Sequence, residues 1–95
     1  MKKLAVSNHF QRQLRKLDPL TQGKVVQTLK SFLSALQSNK VSGGFGFKKI
    51  NGDKYEIRVD LRTRVVLKRD GDTFVCHRVG DHESVKKFLR EYRNQ

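Results

Sequence analysis

The sequence predicts an α+β fold in which a helical hairpin packs on a small, mainly antiparallel, twisted sheet of three to five strands, followed by a C-terminal helix. Apolar side chains recur at helical spacing in the first part of the chain. Residues 48–82 instead alternate apolar and polar side chains between short turn sequences. The chain has 95 residues, so we expect a single domain over residues 1–95.

The first helix of the predicted hairpin follows a short apolar run. Residues 3–6 fit an edge strand, and Ser7 or Asn8 then offers a helix N-cap. The apolar side chains of this helix are Phe10, Leu14 and Leu17. Asp18 and Pro19 end it and suit the start of a second helix, because aspartate caps well and proline is tolerated at the first helical position.

The second helix has the clearest periodicity in the chain. Its apolar positions form one continuous face: Val25, Val26, Leu29, Phe32, Leu33 and Leu36. Residues 38–46 then read as a loop, in which Gly43, Gly44 and Gly46 indicate flexibility or a close approach of the backbone. We expect Phe45 and Phe47, on either side of Gly46, to enter the core, although either could stack on a nucleobase.

The predicted sheet begins near residue 47 or 48 and is divided by turns at residues 51–53, 61–63 and 70–71. In the strand 54–60, Tyr55, Ile57 and Val59 point to the helices, so Glu56, Arg58 and Asp60 point to the other face. We expect that second face to be open. The C-terminal helix is capped by Asp81 or Ser84, and its apolar face comprises Val85, Phe88, Leu89 and Tyr92.

Charge is the strongest functional signal in the composition. Lysine and arginine number 21 against 9 acidic residues, a formal net charge of +12. A field of this size attracts polyanions: nucleic acid first, then an acidic protein or an anionic membrane. No apolar run is long enough to span a bilayer, and we expect a cytoplasmic protein. Cys76, the single cysteine, fits a small buried apolar residue better than a nucleophile.

Four segments carry a resemblance to a known family: residues 49–52 (KING), 55–59 (YEIRV), 63–67 (TRVVL) and 77–82 (HRVGDH). In this order and spacing they resemble the RelE/ParE superfamily of small bacterial toxins from type II toxin–antitoxin systems. The RelE branch implies an endoribonuclease that cleaves mRNA on the ribosome. The ParE branch implies an inhibitor of DNA gyrase without nuclease activity. A non-catalytic basic RNA-binding module is a third reading of the charge.

The RelE branch is favoured because residues suited to metal-free RNA cleavage stand where the family has its catalytic groups. In that reaction the 2′-OH attacks the adjacent phosphate, which requires a base, cations and an acid. The resemblance places His82 and Arg64 at catalytic positions and Arg58 as a phosphate clamp. Glu56 is either a general base or the ion-pair partner of Arg58. We expect no metal ion and no cofactor.

The remaining assignments concern binding. Lys48, Lys49, Lys54 and Arg78 are candidate contacts to the RNA backbone, although a run of charges is often only a solvated face. We expect His77 to be packed rather than catalytic, His9 to lie on the surface and Phe88 to belong to the core. The family and the positive charge both imply an acidic, partly disordered antitoxin as partner, besides mRNA and the ribosome, and no membrane.

Overall fold

The computed structural model describes residues 2–41 and 45–92, so the predicted roles of Gly43 and Gly44 lie outside the described residues. In chain order the elements are β1 (Lys3–Val6), α1 (Asn8–Arg15), α2 (Pro19–Gln37), β2 (Lys48–Asn51), β3 (Lys54–Arg58), β4 (Arg64–Asp70), β5 (Thr73–Gly80) and α3 (His82–Tyr92). The strands form one five-stranded sheet in the order β1-β5-β4-β3-β2. Strand β1 is parallel to β5, and the other neighbours are antiparallel. The predicted α+β architecture and its C-terminal helix are confirmed.

Side-chain caps explain where the two N-terminal helices begin. The hydroxyl of Ser7 accepts a hydrogen bond from the Phe10 backbone N–H at 3.0 Å, so Ser7 rather than Asn8 is the cap of α1. The Asp18 carboxylate accepts from the backbone N–H and the hydroxyl of Thr21, at 3.0 and 2.6 Å. Pro19 occupies the first turn of α2, where its missing N–H costs nothing.

The core lies between the helical hairpin and one face of the sheet, and phenylalanine dominates it. Phe32 of α2 is fully buried, and its ring lies 5.0 to 6.2 Å from the rings of Phe45, Phe47 and Phe74. Edge-to-face and offset contacts of this kind stabilise beyond the area they bury. Phe45 and Phe47 therefore pack against the core as predicted. Val26, predicted on the same helical face, is 41% exposed.

Both tight hairpins use a glycine in the left-handed region as their first loop residue. Asn51 pairs with Lys54 around Gly52, whose φ is +54°. Asp70 pairs with Thr73 around Gly71, whose φ is +61°. The predicted turn at residues 70–71 is therefore displaced by one residue: Asp70 still belongs to β4, and the loop is Gly71 and Asp72.

A β-bulge in β5 changes which side chains share a face. Val66 pairs with Arg78 and Leu67 pairs with Cys76, which leaves His77 as the extra residue. Cys76 and Val79 are both buried in the core. The bulge therefore directs both His77 and Arg78 to the face opposite the hairpin, where simple alternation would have placed them on opposite faces.

The sequence predicted that this second face of the sheet is open, but α3 covers part of it. Val66 alternates away from the core residues Val65 and Leu67, yet it is only 1% exposed. Helix α3 contacts β4 and β5, its Val85 is buried outside the main core, and Phe88 lines a groove together with Val66. We call this side of the sheet the α3 face. Phe88 is half-buried there rather than part of the main core.

Truncating Phe32 should destabilise the protein strongly. We expect Phe32→Ala to lower the free energy of unfolding by about 3–5 kcal/mol, because it leaves a cavity among three rings. The measurement is the urea midpoint at constant m-value. Leu20 lies in the same helix and its side chain is 71% exposed. Leu20→Ala should therefore change the free energy of unfolding by less than about 0.5 kcal/mol. Equal effects of the two substitutions would contradict this core.

Candidate active site

The register of the sheet aligns several predicted site residues on the α3 face. Arg58 pairs with Arg64, and Arg64 pairs with Gly80. In the next row Glu56 pairs with Val66, which pairs with Arg78. Directly opposed residues of antiparallel strands point to the same face. The ends of β3, β4 and β5 thus lie side by side, and α3 begins at His82, just beyond Gly80.

Glu56 is a buried carboxylate held between two cations. Its side chain is 8% exposed, and its oxygens lie 3.4 Å from Lys48 Nζ and 3.8 Å from Arg64 Nε. From the sequence, Glu56 was either a general base or the ion-pair partner of Arg58; in the described residues its ion pairs run to Lys48 and Arg64. One carboxylate between two cations leaves this trio with a net charge of +1.

Arg64 is further fixed by the turn between β3 and β4. Its Nη1 donates to the backbone oxygens of Asp60 and Thr63, at 2.5 and 3.3 Å, and its side chain is 15% exposed. The Asp60 carboxylate holds the turn by accepting from the backbone N–H groups of Arg62 and Thr63, at 2.9 and 2.7 Å. Partial burial raises the pKa of Asp60, but these hydrogen bonds outweigh it and leave that pKa below its usual value. The guanidinium is therefore positioned before any ligand arrives.

Arg58 and His82 are the more accessible of the predicted catalytic residues. Arg58 is exposed and lies against Gly46, where a Cβ would stand 2.9 Å from the Cβ of Arg58. His82 is exposed in the first turn of α3. Its neighbour Asp81 caps that helix by accepting from the Ser84 backbone N–H at 2.8 Å. The cap sets the direction in which α3 leaves the sheet, next to Arg64.

A groove of about 250 Å³ lies on the same face, one row further along the strands. We call it the histidine groove. The residues that line it are His9, Asp53, Lys54, Val66, Leu67, Lys68, His77, Arg78 and Phe88. Lys54 and Arg78, both predicted to bind RNA, thus share this groove with His9 and Lys68. Nothing in the local patterns around residues 9 and 68 indicates that they share a groove.

Arg78 stands at the centre of the histidine groove. Its guanidinium carbon lies 4.8 Å from the centroid of the Phe88 ring, and its Nη1 contacts His9 Nε2. Because a guanidinium only donates hydrogen bonds, His9 Nε2 can bond to it only as the unprotonated acceptor of a neutral ring. The pKa of His9 is lowered by desolvation and then by the charges of Arg78, Arg12 and Lys16, which agrees with a neutral ring.

His77 also faces the groove, where its side chain is half-buried. Its pKa is lowered, first by desolvation and then by the charges of Lys68, Arg78 and Lys54, with Asp53 acting in the opposite sense. The bulge is what brings this imidazole beside Arg78. Two neutral histidines and several permanent cations therefore share one concave surface.

The other predicted residues lie either on one of the two faces of the sheet or in the core. Lys48 and Lys54 lie on the α3 face with Arg78, whereas Lys49 pairs with Tyr55 and so points to the opposite face. Cys76 is buried, and desolvation raises the pKa of its thiol to about 12, so it is a packed, unreactive residue as predicted.

Among residues 2–41 and 45–92, no three His, Cys, Asp or Glu side chains come together as metal ligands. Within the same residues no helix is both long and apolar enough to cross a bilayer.

Comparisons with known proteins find similarity in structure only. Neither protein-family models nor curated protein sequences give a match. The RelB–RelE antitoxin–toxin complex of Methanococcus jannaschii superimposes with a TM-score of 0.68 at 21% identity, covering 90% of this chain and 98% of that chain. The DinJ–YafQ complex of Escherichia coli gives 0.64 at 14% identity over 90% and 98%. The RelE–RelB complex of Pyrococcus horikoshii gives 0.64 at 15% over 84% and 93%.

Adding a methyl group at Gly46 should disturb Arg58 as well as the backbone. Gly46 and Gly52 have similar positive φ values, +58° and +54°, but only Gly46 has a neighbour within reach of a new Cβ. We expect Gly52→Ala to cost about 1 kcal/mol through backbone strain alone. Gly46→Ala should cost at least about 1 kcal/mol more, because the contact with Arg58 must also be relieved. Urea unfolding measures both, and equal losses would show that the close approach to Arg58 is absent.

Stability should fall on acidification because the folded protein binds protons at His77 and His9 less readily than the unfolded chain does. For a histidine whose folded pKa is lowered, the stabilisation is complete above the unfolded pKa of about 6.5 and declines as the pH falls through that value toward the folded pKa. We therefore expect the unfolding midpoint to drop between about pH 7.5 and pH 5. His77→Asn should flatten this dependence. Parallel pH profiles for the wild type and this variant would contradict the assignment.

Proposed function

Because the chain has the RelE-like toxin fold, we propose that it is the toxin of a type II toxin–antitoxin pair and that it cleaves mRNA on the ribosome. The observation that carries the proposal is the alignment of Arg58, Arg64 and the start of α3 at one end of the α3 face. Titratable and cationic groups at that place suit acid–base cleavage of RNA. They have no evident use in a purely structural surface.

The proposed reaction uses the substrate's own 2′-OH as nucleophile. A base removes its proton, the oxygen attacks the adjacent phosphorus, and an acid protonates the departing 5′-oxygen. Arg64 and Arg58 neutralise the charge that develops on the phosphorane. His82 exchanges the proton, since an imidazole nitrogen can either accept a proton or donate one.

Glu56 has a positioning role in this proposal. Its carboxylate is engaged by Lys48 and Arg64 and is almost inaccessible, which supports a function in orienting Arg64 rather than in meeting the 2′-OH. The carboxylate anchors Nε and the turn anchors Nη1. We assign Nη2, on the remaining side of the guanidinium, to the phosphate. A planar donor fixed in this way loses little entropy on binding an oxyanion.

The proposed partners follow from charge. A toxin with a net charge of +12 suits an acidic antitoxin, whose attraction also accelerates association. The similar RelE and YafQ structures are complexes with RelB and DinJ, respectively. Lys48, Lys54 and Arg78 are proposed to contact the RNA, the two lysines through its phosphate backbone. Lys49, on the opposite face, is not part of that surface.

Removing either catalytic candidate should abolish toxicity without unfolding the protein. On induction in bacteria, the wild type should arrest growth and fragment mRNA, whereas Arg64→Ala and His82→Ala should lower the cleavage rate by about 10²–10⁴-fold. Arg64→Lys keeps the charge but loses the planar fork, so it should restore only part of the activity. Arg62→Ala, an exposed arginine in the same turn, is the matched control and should remain toxic.

The same experiment separates the proposal from its competitors. Mapping of transcript 3′ ends, with and without ribosomes, reports cleavage directly. DNA damage without transcript fragments would favour a gyrase inhibitor of the ParE type. Full toxicity of both alanine variants would refute the assignment of Arg64 and His82, while a harmless wild type that still binds RNA would favour a non-catalytic binding module.

A further inference from the structure

The histidine groove takes no part in the proton transfers of the proposed reaction, although Lys54 and Arg78, which line it, belong to the proposed RNA-binding surface. Its floor includes Val66, which is almost fully buried, and the half-buried ring of Phe88. Its volume of about 250 Å³ is enough for a flat aromatic group. Val66 stands in register between Glu56 and Arg78. The groove therefore begins in the row of Glu56 and lies one row away from Arg64 on the same sheet.

Arg78 is held in a defined plane within this groove. The Phe88 ring supports its guanidinium at 4.8 Å, and His9 accepts from its Nη1. A long side chain fixed by two neighbours has already lost much of the freedom that ligand binding would otherwise cost. Guanidinium planes are platforms on which unpaired RNA bases stack. Arg78 is thus prepared for stacking, whereas a solvated arginine would not be.

His77 adds hydrogen-bonding capacity next to that plane. The bulge in β5 directs it to the same face as Arg78, and its lowered pKa keeps it neutral near pH 7. A neutral imidazole offers one donor and one acceptor, as the edge of a nucleobase does. A second permanent cation would have suited a phosphate better than a base.

Two lysines at the other end of the groove are suited to bind the phosphate backbone of an RNA strand whose base stacks on Arg78. Lys54 and Lys68 face each other across β3 and β4, and the Asp53 carboxylate lies 3.7 and 3.9 Å from their ammonium groups. Two cations share one carboxylate, so a positive charge remains. Lys68 stands four residues after Arg64 on the same face of β4, about 13 Å away along the strand. One extended RNA strand lying along β4 would contact both.

We propose that the histidine groove is a nucleobase subsite, in which a base flanking the cleaved bond stacks on Arg78 and meets His77 with its edge. This inference rests on the proposed function, because it takes the ligand to be single-stranded RNA. An acidic peptide is the competing ligand. Its carboxylates would form ion pairs with the lysine and arginine side chains. Such ion pairs need neither a guanidinium plane supported by a ring nor neutral histidines next to that plane.

The test is binding of a short single-stranded oligoribonucleotide whose 2′-hydroxyls are methylated, so that it cannot be cleaved. Arg78→Lys keeps the charge and removes the plane. We expect it to weaken binding about tenfold, within the range measured for loss of one stacked base. The slope of affinity against salt should not change, since that slope counts charges. Fluorescence anisotropy at several salt concentrations gives both quantities.

The chain offers a matched control on the opposite face of the sheet. Arg69 also lies over a phenylalanine ring, that of Phe74, at 5.9 Å, but its neighbour belongs to the core. Arg69→Lys should leave the affinity within about twofold of the wild type.

Phe88 is a positioning residue in this proposal. In a Phe88→Leu background the effect of Arg78→Lys should therefore shrink, because the plane is already lost. Circular dichroism verifies that each variant is folded.

The outcomes distinguish this inference from the function on which it rests. If the wild type fragments mRNA and Arg78→Lys binds the oligoribonucleotide equally well, the subsite is refuted and the nuclease stands. If Arg78→Lys weakens binding but the wild type never fragments mRNA, the nuclease is refuted and the groove stands as an RNA site. Failure of the wild type to bind the oligoribonucleotide overturns the subsite. Arg78-dependent binding of a polyglutamate peptide in that case would assign the groove to a protein partner.

Discussion

The bulge at His77 is the constraint on which the α3 face depends. Cys76 and Val79 are three positions apart and both fill the core, which regular alternation of a strand cannot achieve. One extra residue in β5 resolves this conflict and directs His77 and Arg78 to the same side. Beyond the bulge the register continues to the pair of Arg64 and Gly80. The bulge therefore places His77 and Arg78 in the histidine groove and sets the register in which Gly80, and with it the start of α3, reaches Arg64.

Electrostatic repulsion is the cost of gathering so many cations, and a few carboxylates limit it. Glu56 lies between Lys48 and Arg64, and Asp53 lies between Lys54 and Lys68. Each carboxylate lowers the repulsion between two neighbouring cations, and the local charge remains positive. The buried position of Glu56 strengthens this effect, because Coulomb attraction is less screened away from water. The fold thereby keeps a surface suited to a polyanion without leaving its cations to repel one another unopposed.

Local patterns in the sequence predicted the hairpin, the caps, the strand order along the chain and the inward side of β3. Those features depend on neighbours that are close in sequence. The bulge depends instead on how β5 pairs with β4, so no alternation within β5 reveals it. The face of Lys49 depends on pairing in the same way, because it follows from the pair with Tyr55. His9, Arg78 and Phe88 come from three distant elements and meet only when α1 and α3 approach the sheet. The catalytic roles of His82, Arg64, Arg58 and Glu56 stay predictions that rest on placement and chemistry.

The parallel pairing of β1 with β5 has a consequence for the order of folding. Lys3 pairs with Thr73 and Val6 with Cys76, so the strand at the beginning of the chain finds its partner near the other end. Contacts so distant in sequence are closed late, because the entropy of a long loop must be lost first. The sheet cannot be completed on a nascent chain before β5 has left the ribosome. A protein proposed to attack translating ribosomes would thus acquire its active face only after residues 73–80 of its own chain have been synthesised.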